Sequence, residues 1–460
     1  MKIFQNNIFL LFIFSLFIRL IFDFYFQQFY FGKFIFQYGD SASYINPILN
    51  LINHGNYMGD LNIEDSKYFR VPVYPSFLGI IYLLVGIEYL DYVVAFSQAI
   101  IDSISTILVY MILYKMTLSS KIAISSGLLY ATYPFIIIWN PISYTEIIQI
   151  FLIFFLLYIS LNKNSYSKYL LQGFLVTLLV LTKQYLGLLI FIPIIMYLVD
   201  KNQVLEKRII AIFIVLIGFS ISLTPWVIRN YIVSNGKIII LQGESKGLSI
   251  YGKDFEAFEQ FANLFNENIT PAWTTLSYSG DVNLGDKHQN FIDRHYNEIE
   301  QVFKKAYRCG PSFIQRRRVL KEEDILCEYE VIQEFKNLTN IFWKEQPFYE
   351  AVETRIDSLI KIFSKNDIIN KNIKFSQTNF IKNILFQYRI LLLFLGIVSI
   401  FYFLVNFLMY KNFIISILFT SFLMYIYFAL VIVHAEIRYL LVPDLLLTIF
   451  APIILVKILK

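Results

Sequence analysis

Apolar blocks alternate with short basic loops along most of this chain. The blocks lie near 5–26, 91–114, 121–139, 146–161, 169–182, 184–199, 209–224, 384–408, 412–433 and 439–458. Most approach the roughly 20 residues that an α-helix needs to cross a bilayer. The pattern predicts an all-α polytopic membrane protein with about ten transmembrane helices. Outer-membrane barrels show short alternating segments instead. The basic loops hold Lys115 and Lys121, Lys163 and Lys168, Lys201, Lys207 and Arg208, Lys411, and Lys457 and Lys460. Placing them inside the cell puts both ends of the chain inside. One further apolar stretch, "VPVYPSFLGIIYLLVG" (71–86), would invert every later loop if it crossed. It is short and opens on two prolines, so it is expected to be a juxtamembrane or re-entrant helix on the outer side.

Three outer regions follow: a first loop from about 27 to 90, a short loop around "NPISYTE" (140–146), and a long polar segment near 226–383. The expected organisation is a membrane module over 1–225 that includes the first outer loop, an extracytoplasmic and mainly helical domain over 226–383, and C-terminal membrane helices over 384–460. The polar segment is long enough to fold separately. It holds both cysteines, Cys309 and Cys327, which are able to bridge if it faces an oxidising compartment. Sequons occur at Asn268 and Asn337.

Composition agrees with the pattern. Of 460 residues, 57% are hydrophobic and 16% charged, and mean hydropathy is +0.58. That charge is too sparse for a soluble chain of this size. A net charge of +5 gives no footprint for nucleic acid. The first block has no small-residue cleavage site after it and is expected to stay as a helix.

Charges within or beside apolar blocks are the informative ones, because burying each costs a few kcal/mol unless it is paired or hydrated. Arg19 and Asp23 stand four apart on one helical face and are expected to pair with each other. Gln98 and Asp102, also four apart, suit a helix–helix hydrogen bond. Lys183 lies in "LVLTKQYLGLL", at the turn between two short helices. It either faces a cavity, where it would attract an anion such as phosphate, or snorkels to the interface. Asp40 heads "DSASYINPILNLINHG". It is placed to cap the following helix and equally to act at the mouth of a site. That helix carries Ile45, Ile48, Leu49 and Ile52 on one face and is expected to lie in the outer interface. Arg70, Glu146, Arg229 and Arg438 fall on the same outer side as Asp40. Two acids and several cations at one membrane face suit a reaction between an anionic lipid and a hydroxyl or amine.

The stretches "GDSASY", "LINHGNY", "RVPVYPSFLGIIYLLVG", "YPFIIIWNPISYTEII", "LVLTKQYLGLLIFIP", "LTPWVIRNYIVSNGKIII" and "EIRYLLVPDLLL" occur in that order. Together they resemble the membrane-embedded GT-C glycosyltransferases, in particular the protein-mannosyltransferase and aminoarabinose-transferase (family 39-like) group of bacteria and archaea. The resemblance covers about 5–240 and 384–458; the segment 241–383 matches only loosely. It implies a polyprenyl-phosphate sugar donor, a lipid, glycan or protein acceptor, and an active site on the extracytoplasmic face of the cell (inner) membrane. The family's acid–base aspartate in the first outer loop corresponds to Asp40, and its second acid to Glu146. The basic residue opening the sixth helix is usually arginine; Lys183 departs from that and loses the two-pronged grip on phosphate. Some relatives carry two adjacent acids in the first loop, where this chain has Asp40 followed by Ser41. No cofactor is therefore implied with certainty, and a divalent metal is left open.

The expected reaction is sugar transfer by displacement at the anomeric carbon. Asp40 would serve as general base, and Arg70, Lys183, Arg229 or Arg438 would stabilise the leaving phosphate; Tyr44 joins them as a candidate substrate contact. The alternatives are a transporter or lipid-linked glycan flippase, which intramembrane charges also fit, and an O-antigen polymerase or ligase. No G-x-G-x-x-G, Walker or H-E-x-x-H motif is present.

Overall fold

The computed structural model describes residues 2–61, 66–67, 70–236, 238–241, 253–265, 269–285, 288–314, 322–345, 360, 379–406, 410–430 and 437–458. The described elements are all helical. Six runs are long and apolar enough to cross a membrane: Asn6–Phe31, Val73–Thr117, Leu205–Val233, Asn383–Asn406, Lys411–Ala429 and Ile437–Lys457. Three shorter apolar helices, Glu146–Ser160, Tyr166–Val180 and Gln184–Leu198, lie between them. The expected 121–139 block is interrupted: one helix covers Ser120–Ala131 and a single turn covers Pro134–Ile137. Proline lacks an N–H and clashes with the preceding turn, which is why the helix restarts there.

The run Val73–Thr117 is two helices joined at Gly86, whose φ of 73° and ψ of −177° lie outside the helical region. At about 1.5 Å per residue, the leg before Gly86 extends only about 20 Å, short of the roughly 30 Å hydrocarbon core. The helix Ser41–His54 rests on this short leg. A Cβ added at Gly79 would lie 2.4 Å from the Ile48 side chain, so glycine there admits the close approach. The face carrying Tyr44, Ile45 and Ile48 is therefore buried on protein, not only in lipid. Helices Tyr166–Val180 and Leu205–Val233 approach more closely still. A Cβ on Gly173 would meet the Val215 carbonyl at 2.1 Å, and one on Gly218 the Leu170 carbonyl at 2.6 Å. Small residues at such crossings let two membrane helices pack backbone to backbone.

The buried charges of the membrane part pair differently from the sequence expectation. Arg19 does not pair with Asp23. Its Nε donates to Asp102 Oδ2 at 2.5 Å, and its Nη1 donates to the Ala131 carbonyl at 2.9 Å. Asp23 falls in a π-helical turn, Phe22–Phe26. The wider turn rotates it off the face that regular α spacing gives it, and it accepts from Asn140 Nδ2 instead. Gln98 donates to the carbonyls of Asn140 and Ile142 at 2.7 and 3.0 Å. These are loop carbonyls, whereas Asp102 makes helix–helix bonds as expected, with Arg19 and Tyr130. Toward the C-terminus, Arg389 Nε donates to Asp444 at 2.5 Å, where Tyr425 also donates at 2.5 Å.

The polar segment has its own aromatic core, built from Phe258, Phe261, Phe303 and Phe335. Its amphipathic helices include Tyr296–Cys309 and Glu322–Glu345. Cys309 and Cys327 are joined by a disulfide that links these two helices. Asn337 is exposed on the second of them; Asn268 lies outside the described residues.

Candidate active site

The turn that delivers Asp40 is tightly bonded. Tyr38 N donates to Ser41 Oγ and Ser41 N donates back to the Tyr38 carbonyl, each at 3.0 Å. Between them Gly39 sits at φ +47°, a left-handed conformation that glycine adopts without steric penalty. Asp40 then occupies the N-cap position of the helix Ser41–His54, but its side chain makes no capping hydrogen bond. The carboxylate instead faces two guanidiniums. Arg438 Nη2 stands 3.3 Å from Oδ2, and Arg70 Nη2 stands 3.7 Å from the same oxygen. The Asp40 side chain is 48% exposed, while Arg70 and Arg438 are 15% and 7% exposed. The acid is therefore open to a ligand, and the cations behind it are fixed.

Each cation is held by aromatic rings and hydroxyls. Arg70 donates from Nε and Nη2 to Ser43 Oγ at 2.9 and 2.7 Å, and lies 4.2 Å from the Tyr44 ring centroid. Arg438 lies over Tyr144 at 4.8 Å and Tyr439 at 5.1 Å. Lys183 begins the 3₁₀ turn Gln184–Ile190 in an extended conformation. Its ammonium is 4.5 Å from the Tyr439 ring centroid and 3.5 Å from Glu146 Oε1. Cation–π contacts of this kind contribute about 0.5–2 kcal/mol and orient the charge without neutralising it. A cavity of about 220 Å³ opens among Tyr44, Arg70, Lys183, Tyr185, Tyr427 and Tyr439. Two cations and a ring of phenols give it the chemistry to receive an anion, with Asp40 paired to one of those cations.

Asp40, Tyr44, Arg70, Lys183 and Arg438 are thus linked through the cavity or through direct pairing. Among the described residues Glu146 forms its ion pair with Lys183, and its side chain is 1% exposed. Arg229 does not line this cavity. Its guanidinium donates to the carbonyls of Lys67 and Tyr57 at 2.8 and 3.1 Å and stacks near Trp226, tying the 57–67 segment to the helix Leu205–Val233. The residues missed from sequence are Tyr144, Tyr185, Tyr427 and Tyr439. Three of them carry a visible signal. Tyr144 precedes Glu146 in "SYTE", Tyr185 follows Lys183 in "KQY", and Tyr439 follows Arg438 in "IRY". Among the described residues, no group of three or more His, Cys, Asp or Glu is arranged to hold a metal ion.

Residues 67–228 match the family described as dolichyl-phosphate-mannose-protein mannosyltransferase. Over 99% of its length the chain is similar in structure to AglB of Archaeoglobus fulgidus, an archaeal oligosaccharyltransferase solved with an inhibitory peptide and a dolichol-phosphate. The identity is 14%, the TM-score 0.55, and 50% of that protein is covered. ArnT from Cupriavidus metallidurans, in its apo state, aligns at 13% identity and a TM-score of 0.33, over 89% of this chain and 73% of that one. None of the curated proteins matches the chain. The fold is that of a polytopic α-helical membrane protein similar to the membrane-embedded glycosyltransferases, and the mannosyltransferase family match lies within residues 67–228. The chain spans about half the length of the archaeal oligosaccharyltransferase it resembles.

Proposed function

We propose that this protein transfers a sugar from a polyprenyl-phosphate donor to an acceptor at the outer face of the cell membrane. The observation that carries the reading is the state of Asp40. It stands at a helix N-cap without capping, half-exposed, and its carboxylate is aimed by Arg70 and Arg438. Arg70 also lines the cation-and-phenol cavity. In the reaction, an acceptor hydroxyl or amine attacks the anomeric carbon and its proton passes to Asp40. The bond from that carbon to the phosphate oxygen breaks, and the polyprenyl phosphate leaves with its electron pair. Arg70 and Lys183 stabilise the charge on that phosphate. Arg438 pairs with Asp40 in the absence of substrate and is the third cation within reach. Arg229, bonded to loop carbonyls, is assigned to holding the first outer loop. The outer segment 226–383, with its disulfide, is assigned to the extracytoplasmic side, where such bonds persist.

The test uses purified full-length protein in detergent. It is supplied with a polyprenyl-phosphate sugar and candidate acceptors, with no ion gradient. Transfer supports the reading; no transfer in detergent, together with ion-driven uptake of a solute by the same protein in sealed proteoliposomes, would point to a transporter instead.

A further inference from the structure

Tyr144 belongs to neither the anion cavity nor the acid–base pair, yet it touches the elements that place Asp40. Its hydroxyl accepts a hydrogen bond from the Asp40 backbone N–H at 3.0 Å. A Cβ added at residue 39 would lie 2.7 Å from the same oxygen, closer than van der Waals contact. Its ring lies beneath the Arg438 guanidinium, which in turn reaches Asp40 Oδ2. Its ring also meets Tyr44 edge-on, with centroids 6.3 Å apart, and Tyr44 lies under Arg70. The side chain itself is 3% exposed. One residue earlier, Ser143 N donates to the Phe36 carbonyl at 2.8 Å. The 140–146 loop thereby grips the Asp40 turn at two points.

We infer that Tyr144 is the positioning residue of the acid–base site. Its hydroxyl fixes the backbone from which the Asp40 carboxylate projects, and its ring supports one of the two cations that aim that carboxylate. Gly39 completes the clamp. Its positive φ favours glycine, and any added Cβ would press on the Tyr144 hydroxyl at 2.7 Å. The inference rests on the transferase reading for its kinetic consequence but not for its geometry. No proton or bond is exchanged at Tyr144.

Tyr144→Phe keeps the ring and its cation contact while removing the oxygen. A hydrogen bond of this kind contributes on the order of 1 kcal/mol, so its loss at the stage of correct placement slows turnover about five- to tenfold. The expected result is a lower kcat with the KM for the polyprenyl-phosphate sugar unchanged, since the cavity cations are untouched. An unchanged kcat, or an effect confined to KM, overturns the inference. Hydrogen–deuterium exchange over residues 36–42 supplies a readout independent of activity. The Asp40 amide should exchange faster in Tyr144→Phe than in wild type, with the helix Glu146–Ser160 unaltered; equal exchange overturns the clamp. A third variant checks the steric half. Gly39→Ala should disrupt this turn more in the wild-type background than in Tyr144→Phe, where its Cβ no longer meets the hydroxyl. Equal disruption in the two backgrounds refutes it. Wild-type protein that transfers no sugar would sink the transferase reading, and the exchange and Gly39 arms would still decide the clamp.

Discussion

Lys183 and Glu146 should respond unequally to removal of their charges. The ammonium and carboxylate are 3.5 Å apart, longer than the 2.7–2.9 Å typical of a charge-assisted hydrogen bond. Their surroundings differ: the Lys183 side chain is 15% exposed and lines the cavity, whereas Glu146 is 1% exposed. Glu146 Oε2 has no hydrogen-bond partner among the described residues. Lys183→Ala leaves a buried carboxylate without its cation, which costs about 3–5 kcal/mol. Glu146→Gln leaves an ammonium that still faces the cavity and the Tyr439 ring, and should cost only about 1 kcal/mol. The double variant Lys183→Ala/Glu146→Gln should regain most of the stability lost in Lys183→Ala. Binding shifts in a different pattern. Losing one charged hydrogen bond of about 1.5–3 kcal/mol weakens polyprenyl-phosphate binding about 10- to 100-fold in Lys183→Ala. Glu146→Gln, freed of a competing anion, should bind at least as tightly as wild type. Denaturant unfolding in detergent measures the first quantity and isothermal titration with polyprenyl phosphate the second. A Lys183→Ala protein as stable as Glu146→Gln, or a double variant weaker than either single one, would refute the reasoning.

Other expectations are open to direct measurement. Arg19→Ala should lower stability by about 3–5 kcal/mol by leaving Asp102 buried and unpaired, whereas replacing both by Met and Leu should restore most of it; the two unfolding curves decide. Gly173→Val should block the crossing with Leu205–Val233, since a Cβ there meets a backbone carbonyl at 2.1 Å. Failure to accumulate folded protein is expected, and a wild-type melting profile would contradict it. In the polar segment, burial raises the Asp254 carboxyl above the usual range, and hydrogen bonds from Ser312 and Phe255 pull it back only in part. The folded state therefore holds this proton to higher pH than the unfolded chain does. Its contribution to stability is fully present below the ordinary carboxylate pKa and is lost as pH rises through the raised value. Asp254→Asn should flatten that pH dependence in urea melts taken across the acidic range.

How much of this could be read from sequence depended on the range of the interaction. The apolar blocks were legible because hydrophobic length is a local property. The turns at Gly86 and Pro134 were less so, because a run of Ile, Leu and Val continues across or beside each. Pairing of buried charges was not legible at all in the case of Arg19. Its true partner lies 83 positions away, and the π turn that moves Asp23 off its face leaves no mark in the hydrophobic pattern. Asp40, Arg70, Lys183 and Arg438 stood out because a lone charge beside an apolar block is rare enough to need a reason. Arg229 satisfied the same criterion yet binds loop carbonyls, since position along the chain fixes the membrane side of a residue and not its direction. Tyr144 escaped notice because the chain has 33 tyrosines. Its place just before Glu146 is a weak signal, and the approach of its hydroxyl to Gly39 and Asp40 is what marks it.

The central claim is that Asp40 takes the acceptor's proton, and one comparison tests it most directly: single-turnover sugar transfer by purified wild-type and Asp40→Asn protein at saturating donor. Asparagine keeps the size of the side chain, and the position makes no capping bond that would be lost. Removing a general base typically slows transfer by about 10²- to 10⁴-fold. The account predicts that Asp40→Asn is produced and folded as wild type, binds polyprenyl phosphate through Arg70 and Lys183, and transfers sugar at least about 100-fold more slowly. Transfer at close to the wild-type rate would contradict it and remove Asp40 from the chemistry.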